Sequence, residues 1–178
     1  MSSSGPFGLW MGMTANDFSL PLEEVSSCKY WAPAVPKPHS AFSRYVVVIT
    51  PARGLSWIKA VGRDISTSGY VIEVQSAFEG MEAKLANAYG KSKKIDLLMH
   101  DSIWNEPRDW MQGLLNNERF LMAEWSKDTG ATLANSLASV ALVVGVTDTS
   151  TGYIAIEYSF ENFADAEAEI AAMEDDAL

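Results

Sequence analysis

One cysteine and two histidines are all that this chain of 178 residues offers to thiol and transition-metal chemistry. Cys28 alone forbids an internal disulfide. With no histidine near it in the sequence, it reads as a small buried hydrophobe rather than a reactive thiol. His39 and His100 are too few for a multi-histidine metal site, so no metal is expected. His39 sits in a proline-rich loop, and His100 precedes Asp101 at an expected helix end. Cys28, His100 and Asp101 taken as nucleophile, base and orienter define a hydrolase reading, which ranks behind the two binding readings below.

Other absences narrow the field further. No G-x-G-x-x-G follows a strand, and no G-x-x-x-x-G-K-[ST] occurs, so no nucleotide cradle of known type and no cofactor are expected. Ser26, Ser27 and Ser40 lie outside any G-x-S-x-G context. Glu23 and Glu24 are adjacent, a spacing that makes a poor catalytic carboxylate pair. No stretch approaches the roughly 18 consecutive apolar residues of a membrane helix. The start lacks the basic region of a secretory signal, so a cytoplasmic home without membrane attachment is expected. Basic stripes are missing as well, which argues against direct nucleic-acid binding.

Acidity is what the chain has in surplus. Its net charge is −10, and residues 161–178 hold seven acids with no base, leaving only −3 over residues 1–160. At 48% apolar and 20% charged the composition is that of a globular protein. A chain of this length typically buries about 70% of its unfolded surface, enough for a self-sufficient core. One domain over 1–178 is expected, with halves 1–92 and 93–178 as the alternative division.

Periodicity then suggests the elements. Leu9, Met11 and Met13 would alternate inward in an opening strand, with Trp10 on the opposite face, and Thr14 and Asp17 form a variant capping box. Pro33, Pro36 and Pro38 enforce an extended connection. Val46–Ile49 are β-branched and open a hairpin that turns at 51–54; Tyr70–Val74 suggest a further short strand. Val74, Phe78, Met81, Leu85 and Ala88 share one helical face, with Gly90 as its C-terminal cap. Residues 95–104 and 106–117 read as two short helices, the second with Pro107 at its first position. Residues 119–125 read as a strand, and 139–160 as a second hairpin tightened by Asp148 and Gly152. In its return strand Ile154, Ile156, Tyr158 and Phe160 occupy one face. A last amphipathic helix, about 161–175, turns Phe163, Ile170 and Met173 inward and its acids outward.

The expected fold class is therefore α+β, a mainly antiparallel sheet packed with helices. Each hairpin is followed by an aromatic-led helix, "SAFEGMEAKLANAY" and then "SFENFADAEAEIAAM". Two pseudo-repeated β-β-α units would explain this echo, and so would chance similarity among helix-forming residues.

Six tryptophans are several times the usual share. They staple short elements to the sheet, or some of them line a binding groove. Trp104 and Trp110, flanking a loop that carries Arg108, are the candidates for exposure.

"FGLWMGMT", "FEGMEAKLANAYGK", a later Trp-containing strand and the closing "YIAIEYSF" together resemble small uncharacterised bacterial and phage α+β proteins. Those proteins share a Gly-Met-Ser/Thr opening and a helix ending in Tyr-Gly. The resemblance implies a bacterial or phage source and an α+β fold, and it carries over no catalytic residue.

The leading functional expectation is a non-catalytic intracellular protein-binding inhibitor, such as a toxin-immunity or phage counter-defence protein. Trp104, Arg108 and Trp110 would contact the partner, while Asp165, Glu167, Glu169 and Glu174 would steer a basic one. The bland reading of those acids is a solvated face. The alternative function is a small-molecule binder or sponge for an anionic, nucleotide-like ligand, met by Arg44, Arg53 or Lys59.

Overall fold

The computed structural model describes residues 5–178. The opening stretch folds as a single 3-10 turn, Pro6–Gly8, and not as the strand its alternation suggests. Phe7, Gly8 and Gly12 all take left-handed φ, which breaks an extended run. Phe7 is held there by edge-on packing against Phe42, Tyr45 and Tyr158. Leu9 and Met13 are buried, Met11 is half-buried and Trp10 is exposed, so the inward and outward faces follow the sequence even without a strand. The Thr14–Asp17 capping box is present, with Thr14 N–H donating to Asp17 Oδ2 at 2.8 Å.

Two short strands follow, β1 (Glu23–Ser26) and β2 (Lys29–Ala32), joined at Cys28. β3 (Phe42–Thr50) contains the β-branched run, and Val47–Ile49 are buried in succession, as a strand covered on both faces requires. The chain turns into β4 (Gly54–Gly62) at Gly54, whose φ is +67°. A Cβ on Gly54 would run into the backbone of Gly12, so the turn and the close approach both demand glycine.

β5 (Ile65–Ser66) precedes helix α1 (Ile72–Tyr89). The strand expected at Tyr70–Val74 is instead the beginning of this helix. Glu73 accepts the Thr67 hydroxyl at 2.7 Å and the Ser68 N–H at 3.4 Å, which ties the first turn down. Val74, Phe78, Met81 and Leu85 are buried as the spacing predicts, Ala88 is not, and Gly90 caps the helix at φ +88°.

β6 (Lys93–Leu98) occupies the place where a short helix was expected. It is registered residue for residue on β7 (Arg119–Ser126), and this long-range pairing overrides weak local preference. Between them, Pro107 opens a 3-10 turn leading into α2 (Trp110–Leu115). The second hairpin, β8 (Leu137–Val146) and β9 (Thr151–Phe160), buries Ile154, Ile156, Tyr158 and Phe160. α3 (Phe163–Asp175) ends the chain; of its expected inward residues, Phe163 and Ile170 are half-buried and Met173 is exposed.

The fold is α+β, with the strands in one antiparallel sheet ordered β1-β2-β3-β4-β9-β8-β7-β6 and β5 paired to β9. That order mirrors itself about its centre, so β1 through β4 correspond to β6 through β9. The first four strands are followed by β5 and α1, and the second four, with α2 between β6 and β7, by α3. In chain order the hairpin β3–β4 is followed by β5 and then α1, and the hairpin β8–β9 directly by α3.

Two compact units divide the chain. One comprises residues up to Val61 with Leu133–Val140 and Glu157–Leu178, and the other Gly62–Thr132 with Ala141–Ile156. α3 belongs to the first; α1 and α2 belong to the second.

Candidate functional site

In the second unit, the β6–β7 ladder places Leu97 directly opposite Phe120. Met99 continues it, its N–H donating to the Glu118 carbonyl at 2.7 Å. Leu97, Met99 and Phe120 therefore share one sheet face, since side chains alternate along a strand. All three are exposed, by 51%, 49% and 40%. Ile103 in the following loop and Leu115 at the end of α2 are exposed too.

That loop is shaped by Ser102, whose hydroxyl donates to Glu118 Oε2 at 2.8 Å and accepts the Trp104 N–H at 3.2 Å. A cavity of about 270 Å³ opens among Leu115, Phe120, Met122, Val143 and Tyr153. Gly145 lies beneath the Tyr153 ring, which a Cβ there would strike. Arg119 also lines the cavity; its guanidinium stacks 3.3 Å over Trp110 and reaches Asp96 at 3.4 Å.

Trp104 and Trp110 flank this surface but are half-buried rather than exposed, because Trp110 lies under Arg119 and beside the cluster of Val71, Val74, Met111 and Leu114. Arg108 is exposed and paired with Glu106 at 2.9 Å. The apolar side chains that do face solvent were not singled out from the sequence. Leu97, Met99 and Ile103 lie in "LLMHDSI", where apolar and polar residues follow no helical or strand period.

The first unit holds the acids. Asp165 pairs with Arg53 at 3.9 Å, and Glu169 Oε1 accepts the Ala52 N–H at 2.8 Å. Asn162 Nδ2 donates to the carbonyls of Arg53 and Leu55, and Phe163 stacks on Trp57 at 6.5 Å. α3 is thus tethered to the β3–β4 turn. Hydrogen bonding from the Thr50 hydroxyl, helped by the Ala52 N–H and the Arg53 charge, holds the Glu169 carboxyl below the usual carboxylate range. Glu167 and Glu174 are exposed.

A second cavity, of about 390 Å³, is lined in this unit by Thr14, Glu24, Cys28, Tyr30 and Met173. Burial, reinforced by the neighbouring Cys28 and Glu24, pushes the Tyr30 phenol above its ordinary range. Cys28 is buried in the first unit, whereas His100 and Asp101 are exposed in the second and bonded to each other at 2.9 Å. Arg44 lies over Trp31, Arg53 pairs with Asp165, and Lys59 pairs with Glu157 at 3.8 Å. None of these three cations lines either cavity.

Among the described residues, no group of three or more His, Cys, Asp or Glu is placed to hold a metal ion, and no helix is long and apolar enough to cross a membrane. Comparisons with protein-family models, curated proteins and solved structures return no match.

Proposed function

We propose that the protein is a non-catalytic intracellular binding protein that docks a basic protein partner and inhibits it, in the manner of toxin-immunity or phage counter-defence proteins. The observation that carries this reading is the contiguous exposed apolar surface of Leu97, Met99 and Phe120, joined by Leu115, which lines the same cavity as Phe120. Apolar contacts at the centre of an interface supply most of its affinity, and exposed patches of this kind mark protein contacts. Charge supplies the rest of the argument. A net charge of −10, concentrated toward α3, draws a basic partner in from a distance without having to touch it.

The nominated residues take different parts in this reading. Trp104 and Trp110 are half-buried and serve the packing under the surface's loop and helix, and Arg108 is exposed and paired with Glu106. Glu167 and Glu174 steer, while Asp165 and Glu169 mainly hold α3. The anionic-ligand reading has less support, because Arg44, Arg53 and Lys59 are each engaged locally.

The test uses the purified protein as bait in an extract of its native host. A single basic protein retained at one to one, and lost when Leu97→Asp and Phe120→Asp are combined in a folded bait, is the expected result. Retention by that variant removes the reading. Neutralising the exposed Glu167 and Glu174 together tests the steering: an unchanged salt dependence of association would end that part.

A further inference from the structure

The sheet ends at β6, and the direction of its free backbone groups can be read from the ladder. Met99 N–H bonds to Glu118, and antiparallel ladders bond inward at every second residue. In the printed register, Lys93, Ile95 and Leu97 therefore bond toward β7, while Lys94, Asp96 and Leu98 direct their N–H and C=O groups to the open edge. Such an edge is a template for another strand.

The opposite edge of the sheet is less suited. β1 is four residues long, its register slips between Glu24 and Ser26, and it carries adjacent acids.

We infer that the β6 edge is a homodimerisation surface, on which a second copy of this chain adds its own β6 antiparallel, with Lys94 opposite Asp96 of the second copy and Asp96 opposite its Lys94. The two-fold axis then passes between the two Ile95 side chains, in the position where facing side chains approach most closely. Lys93 stands opposite Leu97 of the second copy.

Charge selects this register over its neighbours. Sliding by two residues one way sets Lys94 against Lys94, and the other way sets Asp96 against Asp96, and like charges directly opposite are destabilising. Both side chains are reachable, at 44% and 48% exposure. Each already has an ion pair, Lys94 with Glu82 and Asp96 with Arg119, so dimerisation would join these pairs into one network across the axis. The interface uses the strand edge and leaves Phe120 and Met99 outside its paired residues, while Leu97 belongs both to it and to the partner surface proposed above.

The test is the mass in solution by sedimentation equilibrium. The wild-type chain of 19.4 kDa is expected to form a dimer. Lys94→Asp and Asp96→Lys should each weaken it at least about tenfold by placing like charges opposite at two symmetric positions. An equimolar mixture of the two variants should pair again, because each then carries the charge that the other lacks. Should either variant fold poorly, amide exchange in the wild type gives the same answer. The outward N–H groups of Lys94 and Asp96 should exchange slowly at high concentration and quickly on dilution. A wild-type monomer at all concentrations, variants that dimerise as well as wild type, or an open-ended series of oligomers would each overturn the inference.

Discussion

α1 and α3 each follow a β-hairpin and the strands before it, yet they are held by different physics. α1 buries four large or branched apolar side chains, Val74, Phe78, Met81 and Leu85; α3 fully buries only Ala166. α3 is instead fastened by Glu169 on the Ala52 N–H, Asn162 on two carbonyls, and Asp165 near Arg53. One is a core helix and the other a surface helix. The contrast separates two kinds of acid on α3: those used to hold the helix, and those left to meet the solvent or a partner. The exposed large apolar side chains of Leu97 and Phe120 stand on β6 and β7.

The largest effect should come from α1. Phe78→Ala removes a fully buried ring and should cost about 3–5 kcal/mol in denaturant unfolding. A loss below about 1 kcal/mol would mean that α1 is not the core helix. α3 should respond to crowding more than to truncation: Ala166 is completely enclosed, so Ala166→Leu should cost about 1–3 kcal/mol by overpacking.

A smaller effect should appear with pH. The folded-state Glu169 carboxyl lies below its ordinary value, so its contribution is complete above that ordinary value and is lost as pH falls through the depressed one. The melting temperature of Glu169→Gln should therefore fall less steeply on acidification than that of the wild type, and an unchanged slope would remove the tether. Smallest of all, Glu167→Gln with Glu174→Gln should move stability by no more than about 0.5 kcal/mol, since both are exposed.

Much of this contrast could be read from the sequence. The spacing of Val74, Phe78, Met81 and Leu85 identified α1 and its buried face, because a 3.6-residue period survives any tertiary context. Both hairpins and the capping box at Thr14 were legible for a similar reason, each being a local pattern. β6 was not legible: its pairing with β7 spans more than twenty residues, and an exposed edge strand has little reason to alternate. Nor could the sequence foretell that Glu169 would find the β3–β4 turn, a contact between residues 117 apart. Leu97 and Met99 lie in a segment that reads as a helix, and nothing in the expected strand at 119–125 tells that the face carrying Phe120 is left exposed.

On the proposed reading a protein partner sits on the β6–β7 surface, and α3 contributes charge rather than contact. Amide hydrogen exchange, recorded with and without the captured partner, tests this most directly. Added partner should slow exchange at Met99 and across residues 115–122 while leaving 163–175 unchanged. Slowing confined to 163–175, with 95–122 untouched, would contradict it.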